Sequence, residues 1–304
     1  MLRNFLLFLS REQRLRRWME RSPAAHRVAH RFVAGDRMDQ ALAACRRINH
    51  EGIAATLDYL GENVTSLQEA AECRDAYLRT LSAIVENGIE SHVSLKLTQF
   101  GIDLCEEACR NNVTGLVKYA ADSGSFVRVD MESSGYTERT LRLVEDLHER
   151  YGACGTVIQA YLYRSSKDIA RLNSRGIRVR LCKGAYLEPP DVAFARKRDV
   201  DRNYRELARV LLAEGSYPAI ATHDEAIIRD LIAHCRRNAI PADRFEFQML
   251  YGIRRDLQRM LVSEGYRVRV YIPYGEAWYP YFMRRLAERP ANLLFLAKNL
   301  LKEG

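Results

Sequence analysis

Past residue 50 the chain alternates between short apolar or β-branched runs and longer helix-like segments. That rhythm predicts a parallel sheet built from βα units. Apolar runs at 54–60, 91–97, 126–131, 156–162, 177–182, 219–222, 245–250 and 268–272 predict eight strands. Helical segments are predicted near 67–87 and over 103–121, 137–151, 191–214, 224–238 and 254–264, with a last helix from about Trp278. Eight such units in roughly 250 residues is the size of a (β/α)8 barrel. The expected fold class is therefore α/β, a TIM-type barrel over 51–304 with an N-terminal helical extension at 1–50. No GxGxxG follows a strand and no GxxxxGK[ST] occurs, which argues against a Rossmann domain and a P-loop.

In such a barrel, function sits at the C-terminal ends of the strands. Read in order, those ends carry Asp58 and Glu62, Lys96, Asp130 and Glu132, Gln159 and Tyr161, then Arg180, Lys183, Gly184 and Tyr186. Thr222, His223 and Asp224 follow, then Gln248 and Leu250, and finally Tyr271. A charge inside an apolar strand is costly unless paired. Any one of these residues reads equally well as a structural ion pair, and His223 as a capping or packing histidine. Polar groups on all eight strands point to a site. Arg180 and Lys183 beside Gly184 suit an anionic group, a pyrophosphate or the electron-rich edge of a flavin. After the last strand, Tyr281, Arg284, Arg285 and Glu288 share one helical face. A ring and two guanidiniums there suit a small molecule with an apolar body and a carboxylate.

Composition narrows the classes. The 304 residues are 47% hydrophobic and 28% charged, with a net charge of +8. The basic balance favours acidic partners, but the arginines are dispersed and no zinc-finger or RNP-like pattern occurs, so nucleic acid is not expected. Seven cysteines without a CxxC pair predict reduced thiols in a cytoplasmic compartment. No metal is expected, because no HExxH or similar spacing is present. No apolar run reaches the ~20 residues of a membrane span. The apolar stretch 5–9 is short and is followed by charges at Arg11, Glu12, Arg14, Arg16 and Arg17, which does not read as a signal peptide. It reads as a basic amphipathic helix that docks on the protein or rests on an anionic membrane.

Taken together, Ser94-Leu-Lys96-Leu, Asp130-Met-Glu132, Gln159-Ala-Tyr161-Leu, Arg180-Leu-Cys-Lys183-Gly-Ala-Tyr186, Ala221-Thr-His223, Phe245-Glu-Phe-Gln-Met-Leu250-Tyr-Gly and Arg269-Val-Tyr271-Ile-Pro-Tyr-Gly through Arg284-Arg285 resemble proline dehydrogenase. The likeness is to the short, single-activity bacterial type and spans 58 to 292. It implies a distorted barrel whose eighth helix lies over the mouth, FAD as cofactor, and oxidation of L-proline to Δ1-pyrroline-5-carboxylate by hydride transfer from C5 to FAD N5. It also implies a membrane quinone as electron acceptor, a peripheral position on the inner face of the cell membrane, and a pyrroline-5-carboxylate dehydrogenase for product hand-over. Carried over by position, Lys96, Arg284 and Arg285 bind the proline carboxylate. Tyr271, Tyr281, Leu250 and Tyr186 enclose the ring, Asp130 holds the Tyr186 hydroxyl, and Glu62 pairs with Arg284 as a gate. Arg180 lies near N5, with Gln159, Lys183, Gly184, Thr222 and His223 as further FAD contacts. Two positions depart from the common pattern: Ser133 stands where an acid is frequent, and Cys182 where an aliphatic residue is.

Three other readings remain at this point. One is a hydroxyproline dehydrogenase of the same family, which the bulk of Tyr271 opposes. Another is a flavin-free aldolase or lyase with Lys96 or Lys183 as a Schiff-base lysine. The third is a non-catalytic basic scaffold, which leaves the rim residues unexplained.

Overall fold

The computed structural model describes residues 12–61 and 64–288. Three helices come first: α1 (Gln13–Arg21), α2 (Pro23–Ala29) and α3 (Met38–Asn49). Eight strands follow, β1 (Ala54–Tyr59), β2 (Ser91–Leu95), β3 (Val127–Val129), β4 (Cys154–Gln159), β5 (Arg178–Cys182), β6 (Ala219–Ala221), β7 (Glu246–Leu250) and β8 (Val268–Tyr274). They close into one barrel in sequence order, with every neighbouring pair parallel. The crossovers are α4 (Leu67–Glu86), α5 (Glu106–Asp122), α6 (Thr137–Tyr151), α7 (Ser165–Asn173), α8 (Lys197–Glu214), α9 (Glu225–Arg237) and α10 (Arg255–Ser263), and α11 (Tyr279–Glu288) follows β8.

The barrel and its eight strands are as the alternation predicts, and the differences have local causes. The run 91–97 stops pairing at Leu95, because Leu97–Phe100 turns into a 3-10 helix that ends at Gly101 with φ 83°. The run 156–162 begins at Cys154 and stops at Gln159. Its apolar tail, Tyr161 and Leu162, instead forms a small satellite cluster with Ala193. Helix α7 was not anticipated from its short, polar sequence. It buries only Ile169 and Leu172 among its apolar residues.

Outward-facing strand residues such as Ala55, Leu57, Val93, Leu95, Val127 and Val129 are fully buried against the surrounding helices. The set also contains Ala41, Leu42, Ala44 and Cys45 of α3. Helix α3 packs on β1 and β8, so it belongs to the barrel layer even though the sequence places it in the 1–50 extension. With α3 in that slot, the last helix is displaced. Trp278, Tyr279, Phe282, Met283 and Leu286 pack instead against Met19, Val28, Phe32 and Val33 from the α1–α2 arm. Each such side chain, fully buried, contributes roughly 1.5–3 kcal/mol, so apolar contact with the arm holds α11. Ser22 starts α2 by accepting the Ala25 amide on Oγ, with Pro23 in the first turn.

The barrel interior is unusually polar. Interiors of this fold are normally filled by branched apolar residues, but here Thr56, Asp58, His92, Ser94, Arg128, Asp130, Arg180, Glu246 and Gln248 are all buried. At the N-terminal end, Arg269 holds both oxygens of Glu246 at 2.9 and 3.0 Å. Arg128 crosses to the carbonyls of Thr156 and Arg178 at 3.1 and 2.6 Å. It passes at Gly155, where an added Cβ would lie 2.9 Å from the Arg128 guanidinium and 2.3 Å from the Arg178 carbonyl.

Candidate active site

The C-terminal half of the barrel interior is one connected network. Lys96 Nζ, just past β2, lies 2.9 and 3.0 Å from the two oxygens of Asp58 on β1. It is also 3.8 Å from Asp130 and 3.3 Å from the Tyr271 hydroxyl. Tyr271 donates to Asp130 Oδ2 at 2.9 Å. The other Asp130 oxygen takes the Arg180 guanidinium, which reaches Ser94 Oγ at 3.3 Å and stacks 5.2 Å from the Tyr271 ring centre. Strands β1, β2, β5 and β8 each supply a member, and Asp130 follows directly after β3. Tyr77 of α4 closes the network from outside, bonding the Ser94 carbonyl at 2.8 Å and Asp58 at 3.3 Å.

Electrostatics keep these groups in fixed charge states. Burial would lower the Lys96 ammonium, but Asp58 and Asp130 outweigh it and its pKa stands above the ordinary lysine value. Arg180 behaves alike: burial opposes its charge, and Asp130 more than compensates. Burial, reinforced by Asp130, raises the Tyr271 phenol well above its usual range. Burial raises the Glu132 carboxyl although Thr98 donates to it through its amide and hydroxyl at 3.1 and 2.7 Å. Two cations and two carboxylates therefore balance at the core of the network. The charge of a bound carboxylate has to be met from elsewhere.

That positive charge is on α11. Tyr281 is buried, Arg284 and Arg285 are half-buried, and the Arg285 guanidinium lies 5.1 Å over the Tyr281 ring. Tyr186 links the two layers. It leaves 38% of its surface exposed, yet its hydroxyl is raised to about 12, by enclosure first and then by Glu132, against the pull of Lys96 and Arg284. Leu250, half-buried at the end of β7, packs on the cluster that holds Tyr281.

The remaining rim residues divide. Gln159 is buried and donates to the Glu132 carbonyl at 2.9 Å. His223 Nε2 accepts the Leu250 amide at 2.9 Å, so the neutral ring carries its proton on Nδ1. Thr222 Oγ1 accepts the Asp224 amide at 3.1 Å. Lys183 is paired with Asp201 at 2.6 Å and Asp224 at 3.1 Å, which largely neutralises it. Gly184 has φ 111°, and a Cβ there would sit 2.3 Å from the Tyr161 ring. One close approach at this glycine is therefore to the Tyr161 ring. Together Arg180, Gln159, Thr222 and His223 offer one cation and several neutral donors and acceptors, which fits the polar edge of a flavin better than it fits a pyrophosphate.

Two expectations need revision. Asp130 does not hold the Tyr186 hydroxyl; its oxygens are taken by Arg180 and Tyr271. Tyr271 lies on the rigid strand β8, whereas Tyr186 sits in the loop after β5. The Schiff-base reading also fails on chemistry: an amine nucleophile needs a lowered pKa and that of Lys96 is raised, while the Lys183 ammonium is tied up in ion pairs with Asp201 and Asp224. Glu62 and its gating contact with Arg284 lie outside the described residues, as does the Glu288 side chain. The sequence marks Asp58 only as a strand-end residue; its place beside Lys96 follows from opposite charges at the ends of the neighbouring parallel strands β1 and β2.

Comparison with known proteins shows the family. The Proline dehydrogenase family matches residues 41–298. Proline dehydrogenase 1 of Bacillus subtilis subsp. natto is 42% identical over 303 residues, covering all of both chains. Proline dehydrogenase of Deinococcus radiodurans is 44% identical over 280 residues, 90% of each chain. Among solved structures, proline utilization A from Bdellovibrio bacteriovorus, inactivated by N-propargylglycine, superposes with a TM-score of 0.81 at 26% identity. That match covers 87% of this chain and 33% of that one. With matches that run from α3 through α11 and take in every member of the buried network, the chain belongs to the proline dehydrogenase family.

Proposed function

We propose that this protein oxidises L-proline to Δ1-pyrroline-5-carboxylate, the first step of proline breakdown. One observation carries the reading. A charge-balanced buried floor of Lys96, Asp58, Asp130, Arg180 and Tyr271 lies beneath a helix that presents Tyr281, Arg284 and Arg285. A five-membered amino acid with one carboxylate matches that division: the carboxylate meets Arg284, Arg285 and Lys96, and the ring lies among Tyr271, Tyr281, Leu250 and Tyr186.

FAD would be held by Arg180, Gln159, Lys183, Gly184, Thr222 and His223, and when bound it supplies the acceptor for the hydride that leaves proline C5. The protein's own contribution is orientation and charge. Arg180, fixed by Asp130, keeps a permanent cation at the edge of the site, where negative charge develops as the substrate is oxidised. Lys96 remains an ammonium at neutral pH and serves as a carboxylate anchor; it is not a base. None of the floor residues is set up to take the amine proton, so proline enters with its nitrogen neutral. Closure of α11 over the substrate would exclude water.

Electron transfer to a membrane quinone is part of the same proposal. On α1, Trp18 is 57% exposed, one helical turn after the exposed Arg14 and directly after the exposed Arg17. An aromatic residue among arginines on a surface helix suits contact with an anionic bilayer face. Among the described residues no helix is long and apolar enough to cross a membrane. The product would pass to a separate dehydrogenase specific for pyrroline-5-carboxylate.

The test is a visible spectrum of the purified protein before and after anaerobic L-proline. Flavin bands that bleach support both cofactor and substrate. Flavin bands indifferent to proline overturn the substrate, and a protein that stays colourless after incubation with FAD overturns the cofactor.

A further inference from the structure

Beside the candidate active site lies a second cavity of about 1000 Å³, walled by the arm, α4 and the ends of β1 and β8. Its lining is rich in carboxylates, including Glu20, Asp36, Glu69, Glu72 and Glu276. Two of its lining residues, His26 and Asp36, are joined by the neighbouring His30, and the ligand atoms of all three lie within 4.8 Å of one another. We propose that these three residues form a site for a divalent transition metal of the zinc type, distinct from the proline site.

Two imidazoles and one carboxylate are a borderline nitrogen–oxygen donor set that suits Zn²⁺ or Co²⁺ and leaves a fourth position for water. His26 and His30 are one helical turn apart, so they project on one side of α2 and its C-terminal end. His26 is already oriented as a metal ligand is. Its Nε2 donates to the Glu20 carbonyl at 2.8 Å, which leaves the lone pair of the neutral ring on Nδ1. Asp36 stands on a preorganised loop. Its amide and that of Arg37 donate to Gln40 Oε1 at 2.9 and 3.1 Å. The loop is tied to the end of β8 by Ala34 N to Pro273 O at 2.8 Å and Gly275 N to Gly35 O at 2.9 Å. Asp36 Oδ1 is buried and makes no hydrogen bond, so a strong acceptor is left there without a donor. Zinc would supply that partner at ~2.0–2.2 Å.

The sequence shows no metal motif, because a histidine pair alone lacks the third ligand that the loop provides. The position also suggests a consequence. His26 packs edge-on against Trp278 at 5.0 Å, one residue before α11 begins. Metal binding would draw α2 towards the loop at Asp36 and brace the arm on which α11 rests.

Trp278 supplies the assay. The chain has two tryptophans, and Trp18→Phe leaves Trp278 alone. Adding Co²⁺ to the EDTA-treated, flavin-loaded variant should quench its emission saturably at one equivalent per chain, and Zn²⁺ should compete. His30→Ala and Asp36→Asn, with exposed or half-exposed side chains, should each weaken the response more than about tenfold while the melting temperature of the metal-free protein holds. The absence of saturable quenching, or quenching that survives both substitutions, would overturn the site.

Discussion

Lys96 and Asp58 form a chelated ion pair across strands β1 and β2, with the ammonium nearly equidistant from both carboxylate oxygens at 2.9 and 3.0 Å. Asp58 is 1% exposed at its side chain. Removing one partner of such a pair leaves a buried charge uncompensated, at a cost of about 3–5 kcal/mol. Lys96→Met and Asp58→Asn should therefore each destabilise the protein in urea, and the double variant should lose clearly less than the sum. A coupling above ~1 kcal/mol is expected; additivity within about 0.5 kcal/mol would contradict the pairing. The proline KM separates structure from function. It should rise in Lys96→Met and stay high in the double variant, because restoring charge balance does not restore the carboxylate anchor.

Because the floor of the site is charge-balanced, the proposed function assigns the charge that meets the substrate carboxylate to Arg284 and Arg285, with Lys96 as a further anchor. A hydrogen bond to a charged group is worth about 1.5–3 kcal/mol. Arg284→Met and Arg285→Met should thus raise KM for proline by roughly 10–100-fold while the protein stays folded and yellow. Arg285→Lys should fall between, since lysine keeps the charge but loses the planar stack on Tyr281. Steady-state kinetics at matched flavin content measures this, and normal proline affinity in either methionine variant would refute the assignment.

How far the sequence reaches can be seen residue by residue. The strands were legible because β-branched runs between helical segments have few alternatives. The rim residues were legible because each lies at a predicted strand end. Less legible was anything set by packing between distant segments. Asp58 and Lys96 are 38 positions apart, and nothing local to either names the other. Likewise Tyr186 and Tyr271 both stand at the rim, and only the fold decides that Asp130 takes the hydroxyl of Tyr271. The place of α3 in the barrel layer and the displacement of α11 depend on which apolar faces meet, and the amphipathic pattern of each helix alone leaves that open.

Acid sensitivity follows from the opposite end of the barrel. Burial would raise the Glu246 carboxyl, but Arg269 outweighs it and the folded-state pKa lies below the ordinary value of 4.5. A depressed carboxylate contributes stability that is complete above the unfolded pKa and is lost as pH falls through the folded one. The Glu246–Arg269 pair should therefore support the fold fully at pH 7 and lose that contribution progressively as the pH falls below 4.5. Glu246→Gln should cost about 3–5 kcal/mol at pH 7, because it leaves Arg269 unpaired beside Arg128. Its disadvantage should shrink progressively as the pH is taken from 7 to below 4.5. Urea unfolding of both proteins across that range checks it; a deficit that does not change with pH would show that the substitution acts through packing.

On the proposed function, Tyr271 is the residue expected to decide between proline and its 4-hydroxy analogue. The phenol donates to Asp130 at 2.9 Å, receives from Lys96 at 3.3 Å, and carries the Arg180 guanidinium over its face at 5.2 Å. A ring held at three points on a strand cannot swing aside for an extra hydroxyl on the substrate ring. A hydroxyl pressed against it would be desolvated, at a cost of about 1–3 kcal/mol where it finds no partner. The protein should therefore show a kcat/KM for L-proline at least ~10-fold above that for 4-hydroxyproline. Tyr271→Ser should narrow the ratio by opening space, mainly by lowering activity with proline. Tyr271→Phe should keep the ratio, because the bulk remains after the hydroxyl is gone. A wild-type preference for 4-hydroxyproline would overturn the steric role of Tyr271, and a ratio that collapses in Tyr271→Phe would move the discrimination from the ring to its hydroxyl.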